Sequence, residues 1–144
     1  MVYIVIALAI FTIDYILKKK REEHTEEYTI AGEQIKVMTY HNHGAFLNLG
    51  EKKPIVVKMI SVLLTVFMTI LFFMTLGTHG KQGLKLGLSF LLGGAFCNTY
   101  DRLKRGYVVD YINFQKAPGK IKTVVFNISD FFIMIGAFLS LLKA

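Results

Sequence analysis

Between Met59 and Leu76 the chain runs for eighteen residues without a charged side chain. As a helix rising 1.5 Å per residue this covers most of a hydrocarbon layer roughly 30 Å thick, and the long stem of Lys58 lets the run extend back to Pro54. Hydrocarbon offers no water to backbone polar groups, so such a segment must be helical if it lies in lipid. Three further apolar runs accompany it: Val2–Leu17, broken only by Asp14; Leu86–Tyr100, rich in Gly; and Val124–Leu142, which contains Asp130. Only 19% of the residues are charged, against about a quarter in soluble domains, and 53% are hydrophobic. The expectation is an all-α membrane protein of four transmembrane helices, spanning about 2–17, 54–76, 84–100 and 124–142 of one integral domain, 1–144. Four crossings put both termini on the same side. The first run is read as a retained helix, because no basic stretch precedes it and no small-residue cleavage site precedes Lys18-Lys19-Lys20-Arg21.

The 17 Lys and Arg outnumber the 10 Asp and Glu. They sit between the apolar runs rather than along one polar face, which speaks for a membrane border and against a nucleic-acid partner. One Cys, Cys97, excludes an intrachain disulfide and reads as a small hydrophobe. In the first connection, Tyr28/Ile30 and Ile35/Val37 alternate around a Gly-containing turn, predicting a small β-hairpin within a β element at about 28–50. In the third, the apolar patch Tyr107–Ile112 is expected to lie at the membrane surface.

Ionisable residues inside apolar runs carry an insertion cost of a few kcal/mol and mark functional positions by default. Asp130 lies six residues inside its run, and Asp110 is embedded in Val108-Val109-Asp110-Tyr111-Ile112. Twenty residues separate them, enough for both to meet at one membrane face. Two carboxylates in one low-dielectric pocket cannot both ionise easily, which makes an acid/base pair able to activate water and polarise a carbonyl. On the acids alone, hydrogen bonding to helix ends or basic neighbours explains them equally well. Asp14 and Lys18 have the i,i+4 spacing of a structural ion pair. Asn42, Asn98 and Asn127 are amides able to hold an extended peptide, and Arg102 presents a planar donor fork suited to a carbonyl or phosphate, with anchoring at the headgroup level as the alternative. His41 and His43 would share a strand face but have no third metal ligand nearby, so a surface role is expected and no metal. Gly93-Gly94 fits close helix packing.

These residues also carry a resemblance. Gly93-Gly94-Ala95-Phe96-Cys97-Asn98-Thr99-Tyr100-Asp101-Arg102, then Gly106-Tyr107-Val108-Val109-Asp110-Tyr111-Ile112-Asn113-Phe114, then Phe126-Asn127-Ile128-Ser129-Asp130, closely resembles the signature of signal peptidase II, the bacterial lipoprotein signal peptidase. It continues at Asp14, Lys18 and Asn42-His43-Gly44-Ala45 and covers nearly the whole chain. The resemblance implies an aspartic endopeptidase that cuts a prolipoprotein signal peptide just before a diacylglyceryl-modified Cys, with Asp110 and Asp130 as the catalytic dyad. It implies that Asn42, Gly94, Asn98, Arg102 and Asn127 line the substrate site, with Asp101 supporting it, and that Asp14 and Lys18 are structural. The hairpin would be an extracytoplasmic β-cradle. No cofactor is implied, the partners are the lipid-modified substrate and membrane lipid, and a monomer in the bacterial cytoplasmic membrane is expected.

The chain departs from the family pattern at Phe46-Leu47-Asn48, where a small residue, an aromatic and Gly are usual, at Cys97, where Gly is usual, and at Ser129, where Ala is common. Lys and Arg concentrate in the first and third connections, which the positive-inside rule would place in the cytoplasm. The resemblance implies the opposite: active site outside, both termini cytoplasmic. Rival readings are a divergent paralogue for a dedicated peptide, a non-catalytic lipopeptide-binding protein, and a small transporter subunit, since proton relays also use intramembrane acids.

Overall fold

A computed structural model describes residues 1–45 and 49–143; the family departure at Phe46, Leu47 and Asn48 lies outside the described residues. Among the described residues four α-helices, α1 (Val2–Glu23), α2 (Pro54–Leu76), α3 (Gln82–Lys104) and α4 (Ile128–Lys143), accompany four strands, β1 (Tyr28–Ile30), β2 (Ile35–Asn42), β3 (Val108–Phe114) and β4 (Val125–Phe126). The strands form one antiparallel sheet in the order β1-β2-β3-β4. The molecule is therefore mostly helical with a small sheet. Of its described helices, α2 is long and apolar enough by itself to cross a membrane.

α3 is the central helix, with α4, α1 and α2 all packed on it. Close approach is possible because glycines line its faces. A Cβ on Gly93 would lie 2.7 Å from the Ala7 carbonyl oxygen of α1, and one on Gly94 would lie 2.4 Å from that of Ser129 on α4. Polarity is inverted relative to a soluble bundle: α1 buries Ile10, Asp14 and Lys18, one stripe at four-residue spacing, and exposes Val2, Val5, Leu8, Ile13 and Ile16. α2 exposes Leu63, Phe67, Ile70 and Phe73 among others. A helix bordered by hydrocarbon gains nothing by hiding such side chains, whereas its polar groups must find partners inside.

The hairpin forms as the alternation predicts, with Tyr28 paired to Val37 and Ile30 to Ile35, and a turn in which Ala31, Gly32 and Glu33 all have positive φ. Two expectations are corrected. The Tyr107–Ile112 patch is no surface segment: Val108, Val109, Asp110 and Tyr111 are all buried in β3, an interior strand covered on both faces. The fourth helix starts at Ile128 rather than Val124, because Val125 and Phe126 pair with Asn113 and Ile112 as β4. Strand pairing satisfies their backbone without a helix. Asp130 is consequently in the first turn of α4, at its mouth rather than deep within it.

Candidate active site

Each acid is positioned by a different element. Asp110 lies in β3, opposite Tyr40 across a β-bulge in the β2 pairing between Val37 and Tyr40. Bulges re-aim side chains beside functional sites. Asp130 belongs to the helix start. Asn127 Oδ1 accepts from the Asp130 backbone N–H at 2.9 Å, and the Asn127 N–H donates to Asp130 Oδ2 at 3.0 Å. This is a reciprocal capping box, with Asn127 at the N-cap and Asp130 three residues on.

The two carboxylates share one amide layer. Asn127 Nδ2 donates to Asp110 Oδ1 at 2.7 Å and to Asn98 Oδ1 at 3.2 Å. Asn98 Nδ2 donates to Asp130 Oδ1 at 2.9 Å, and Asn42 Nδ2 donates to Asp110 Oδ2 at 2.9 Å. All four carboxylate oxygens thus accept a hydrogen bond. Burial pushes the Asp110 carboxyl above the usual carboxylate range, and the neighbouring Asp130 charge adds to the rise, against the lowering effect of the Asn42 and Asn127 donors.

Beneath the amides lies a layer of charge. Lys18, Asp14 and Asp101 are completely buried, with Lys18 Nζ 3.1 Å from Asp14 Oδ2 and 3.0 Å from Asp101 Oδ2. Its third contact is a 2.7 Å hydrogen bond to Asn98 Oδ1. Arg105 pairs with Asp101 at 2.7 Å, the Tyr111 hydroxyl donates to Asp14 Oδ1 at 2.7 Å, and the Ser129 hydroxyl donates to Asp14 Oδ2. Buried charges persist only when paired and hydrogen-bonded, and here each of the three is.

Asn42, Asn98, Arg102, Asp110 and Asp130 line a small polar cavity of about 50 Å³. It shares Ala45, Asn98, Arg102 and Asp130 with a mainly apolar groove of about 490 Å³ whose walls include Leu64, Met68, Leu91 and Met134 of α2, α3 and α4. Arg102 spans the junction, donating to the Gly44 carbonyl at 2.9 Å, while its buried Nε has no partner among the described residues. Gly94 and Asp101 line neither space: Gly94 abuts the α4 backbone, and Asp101 sits in the charged layer. His41 lies away from the acids, stacked 4.0 Å from the Tyr107 ring and 2.7 Å from Glu22. Sequence reasoning missed Tyr111, Arg105 and the capping role of Asn127. Only the last had a legible signal, Asn127-Ile128-Ser129-Asp130 before an apolar run, since the partners of Tyr111 and Arg105 depend on tertiary packing.

The arrangement offers two desolvated carboxylates, amide donors and a donor fork at the head of an apolar groove. Comparison with known proteins agrees in extent. A model of the family described as signal peptidase (SPase) II matches residues 6–144. The lipoprotein signal peptidase of Halothermothrix orenii is 32% identical, over 99% of this chain and 93% of the relative. That of Caldicellulosiruptor bescii is 29% identical, over 96% and 87%. Among solved structures, a bacterial membrane enzyme determined by the in meso method at 2.3 Å resolution has the same fold, with a TM-score of 0.80 at 21% identity over 98% of this chain and 85% of the other. A similar structure at 1.9 Å resolution has a TM-score of 0.79 at 20% identity, over 98% and 90%. A match that runs through both acids, all three amides and nearly the full length of the chain places this protein in the signal peptidase II family.

Proposed function

We propose that the protein is an aspartic endopeptidase that removes the signal peptide from diacylglyceryl-modified prolipoproteins, cutting before the lipidated Cys, with Asp110 and Asp130 as the catalytic pair. The observation that carries this reading is the pair itself: two carboxyls from β3 and the first turn of α4, held by a shared amide layer where polar cavity and apolar groove meet. Mutual repulsion leaves one proton on the pair. The ionised member takes a proton from a water as its oxygen attacks the scissile carbonyl, and the protonated member gives its proton to the carbonyl oxygen. Collapse of the tetrahedral intermediate breaks the C–N bond: the departing amine takes the proton that the first carboxyl received from water, and a hydroxyl of the intermediate returns a proton to the second.

The acyl chains of the substrate occupy the groove among Leu64, Met68, Leu91 and Met134, and its peptide lies extended near Asn42, Asn98 and Arg102. Recognition thus rests on lipid and backbone more than on side chains. All four helices cross the membrane. α4, with sixteen residues, is about 24 Å long at 1.5 Å per residue, and its extended lead-in supplies the remaining depth. The sheet and site face outward and both termini lie in the cytoplasm. One chain supplies every residue of the site, which fits a monomer.

The test is cleavage of a diacylglyceryl-modified prolipoprotein by the purified protein in detergent, beside Asp110→Asn and Asp130→Asn. Wild-type cleavage that each substitution lowers by at least about 10³-fold is expected, the scale of losing an essential catalytic group. Cleavage that survives either substitution would sink the dyad assignment.

A further inference from the structure

Lys18 has three N–H donors and three acceptors, and one of those acceptors belongs to the amide layer. A side-chain amide is nearly isosteric end for end, so packing alone does not decide which end faces a given neighbour; hydrogen-bond partners do. Asn98 bridges Lys18 and Asp130. An ammonium can only donate, so it must face Asn98 Oδ1, which turns Asn98 Nδ2 toward Asp130. The same oxygen accepts from Asn127 Nδ2, whose other N–H reaches Asp110.

We propose that Lys18 is a positioning residue for the carboxylate pair: by donating to Asn98 Oδ1 it fixes the direction of the Asn98 and Asn127 amides, so that their N–H groups point at Asp130 and Asp110. The proposal rests on the reading of these acids as the reacting pair. Asp14 and Asp101 acquire a purpose within it. A buried lysine without counter-ions sheds its proton and gains a lone pair, becoming an acceptor that would tolerate the flipped amide. Two carboxylates, themselves anchored by Tyr111, Ser129 and Arg105, keep the ammonium a pure donor. The titratable and charged groups around Lys18 are Asp14 on α1, Asp101 and Cys97 on α3, and beyond them Arg105 just after α3 and Tyr111 on β3; Arg102 on α3 faces the pair.

With the donor gone, Asn98 can present its oxygen to a protonated Asp130 as readily as its nitrogen to an ionised one. The pair then holds its first proton more tightly. The test uses Lys18→Met and Lys18→Met/Asp14→Asn; in the double variant the Asp101–Arg105 pair remains and the cluster stays neutral, so folding does not depend on an unpaired buried charge. Infrared titration of the carboxyl C=O band, assigned with Asp110→Asn and Asp130→Asn, reads the pair without substrate. The midpoint of its first ionisation is expected to rise by about one pH unit in the double variant. The acid limb of the pH–rate profile should move with it by about one pH unit, so that the loss of kcat approaches tenfold well down that limb and shrinks toward the optimum, with KM within twofold. A midpoint that stays at the wild-type value overturns the proposal, as does a loss of rate by one factor at every pH. Should the wild type cleave no prolipoprotein while the midpoint still moves, the peptidase reading fails and the positioning role stands.

Discussion

At the scale of single residues, Gly94 and Asp110 show why this site tolerates little change. A methyl group on Gly94 would meet the Ser129 carbonyl oxygen at 2.4 Å and the Ile133 side chain at 2.9 Å. The first is backbone, so α3 and α4 would have to separate, and with them Asn98 and Asp130. Gly94→Ala is expected to cost about 1–3 kcal/mol, as overpacking does, and to lower kcat more than tenfold, measured by thermal unfolding and peptide cleavage in detergent. Full activity would show that the helices can part without disturbing the acids. Asp110 acts through charge instead. Its folded carboxyl holds a proton more tightly than an unfolded one, which titrates near about 4. Its contribution is therefore stabilising below that ordinary value and is lost as pH rises through the raised folded value. The midpoint of thermal unfolding should fall as pH climbs from 4 toward 8, and the fall should be smaller in Asp110→Asn. Equal slopes in the two proteins would mean that other groups carry the pH dependence. Both acids and all three amides were legible in the sequence because polar groups inside or flanking apolar runs stand out. Of the partners of Asp14, Lys18 was legible from its i,i+4 spacing, but the hydroxyls were not, since Tyr111 and Ser129 are 97 and 115 residues away from it.

At the scale of elements, the start of α4 joins helix capping to the candidate chemistry. Asn127 has two separable duties: its Oδ1 caps the helix through the Asp130 N–H, and its Nδ2 serves Asp110 and Asn98. Ser keeps the capping oxygen but has no second donor, whereas Ala has neither. Asn127→Ser should therefore unfold at a higher temperature than Asn127→Ala, by a difference worth about 1 kcal/mol, while both lose cleavage activity to a similar extent, at least tenfold. If Ser restores activity along with stability, the amide donors are dispensable. The same element marks the limit of reading periodicity. Val124–Asn127 continues an apolar run without a break, so hydropathy extends the helix through it; the strand partner that claims Val125 and Phe126 lies on β3. β3 was misplaced for a related reason. A strand buried on both faces lacks the alternation that betrays a strand, and an unbroken apolar patch reads equally well as an interfacial segment. The hairpin of β1 and β2, exposed on its outer strand, kept its alternation and was found.

At the scale of the whole molecule, charge and chemistry disagree about which way the protein faces. The sheet and the acids are on the side that carries Lys36, Lys116, Lys120 and Lys122, together with the cluster Lys18 to Arg21, and the positive-inside rule would draw that side into the cytoplasm. Several of these charges are already spent within the fold. Lys18 is paired twice in the interior, Arg105 binds Asp101, Lys36 contacts Glu27, and Arg21 donates to the Glu26 carbonyl and Thr39. The first connection also carries the acids Glu22, Glu23, Glu26, Glu27, Glu33 and Glu51, but the rule counts Lys and Arg, and acids weigh little in it. The opposite face has Lys81, Lys85 and Lys143, of which Lys85 donates to the Thr78 carbonyl. The proposed function turns the sheet and the acids outward, against this distribution of Lys and Arg, and fusions at the two ends of the fold test it. A green fluorescent reporter fused at the C-terminus should fluoresce, and alkaline phosphatase inserted at the Gly32 turn should be active, because that enzyme matures only outside the cytoplasm. Phosphatase activity from the C-terminal position, with none from Gly32, would invert the molecule. It would also put Asp110 and Asp130 beyond reach of any prolipoprotein cut from outside, so one pair of fusions bears on topology and function together.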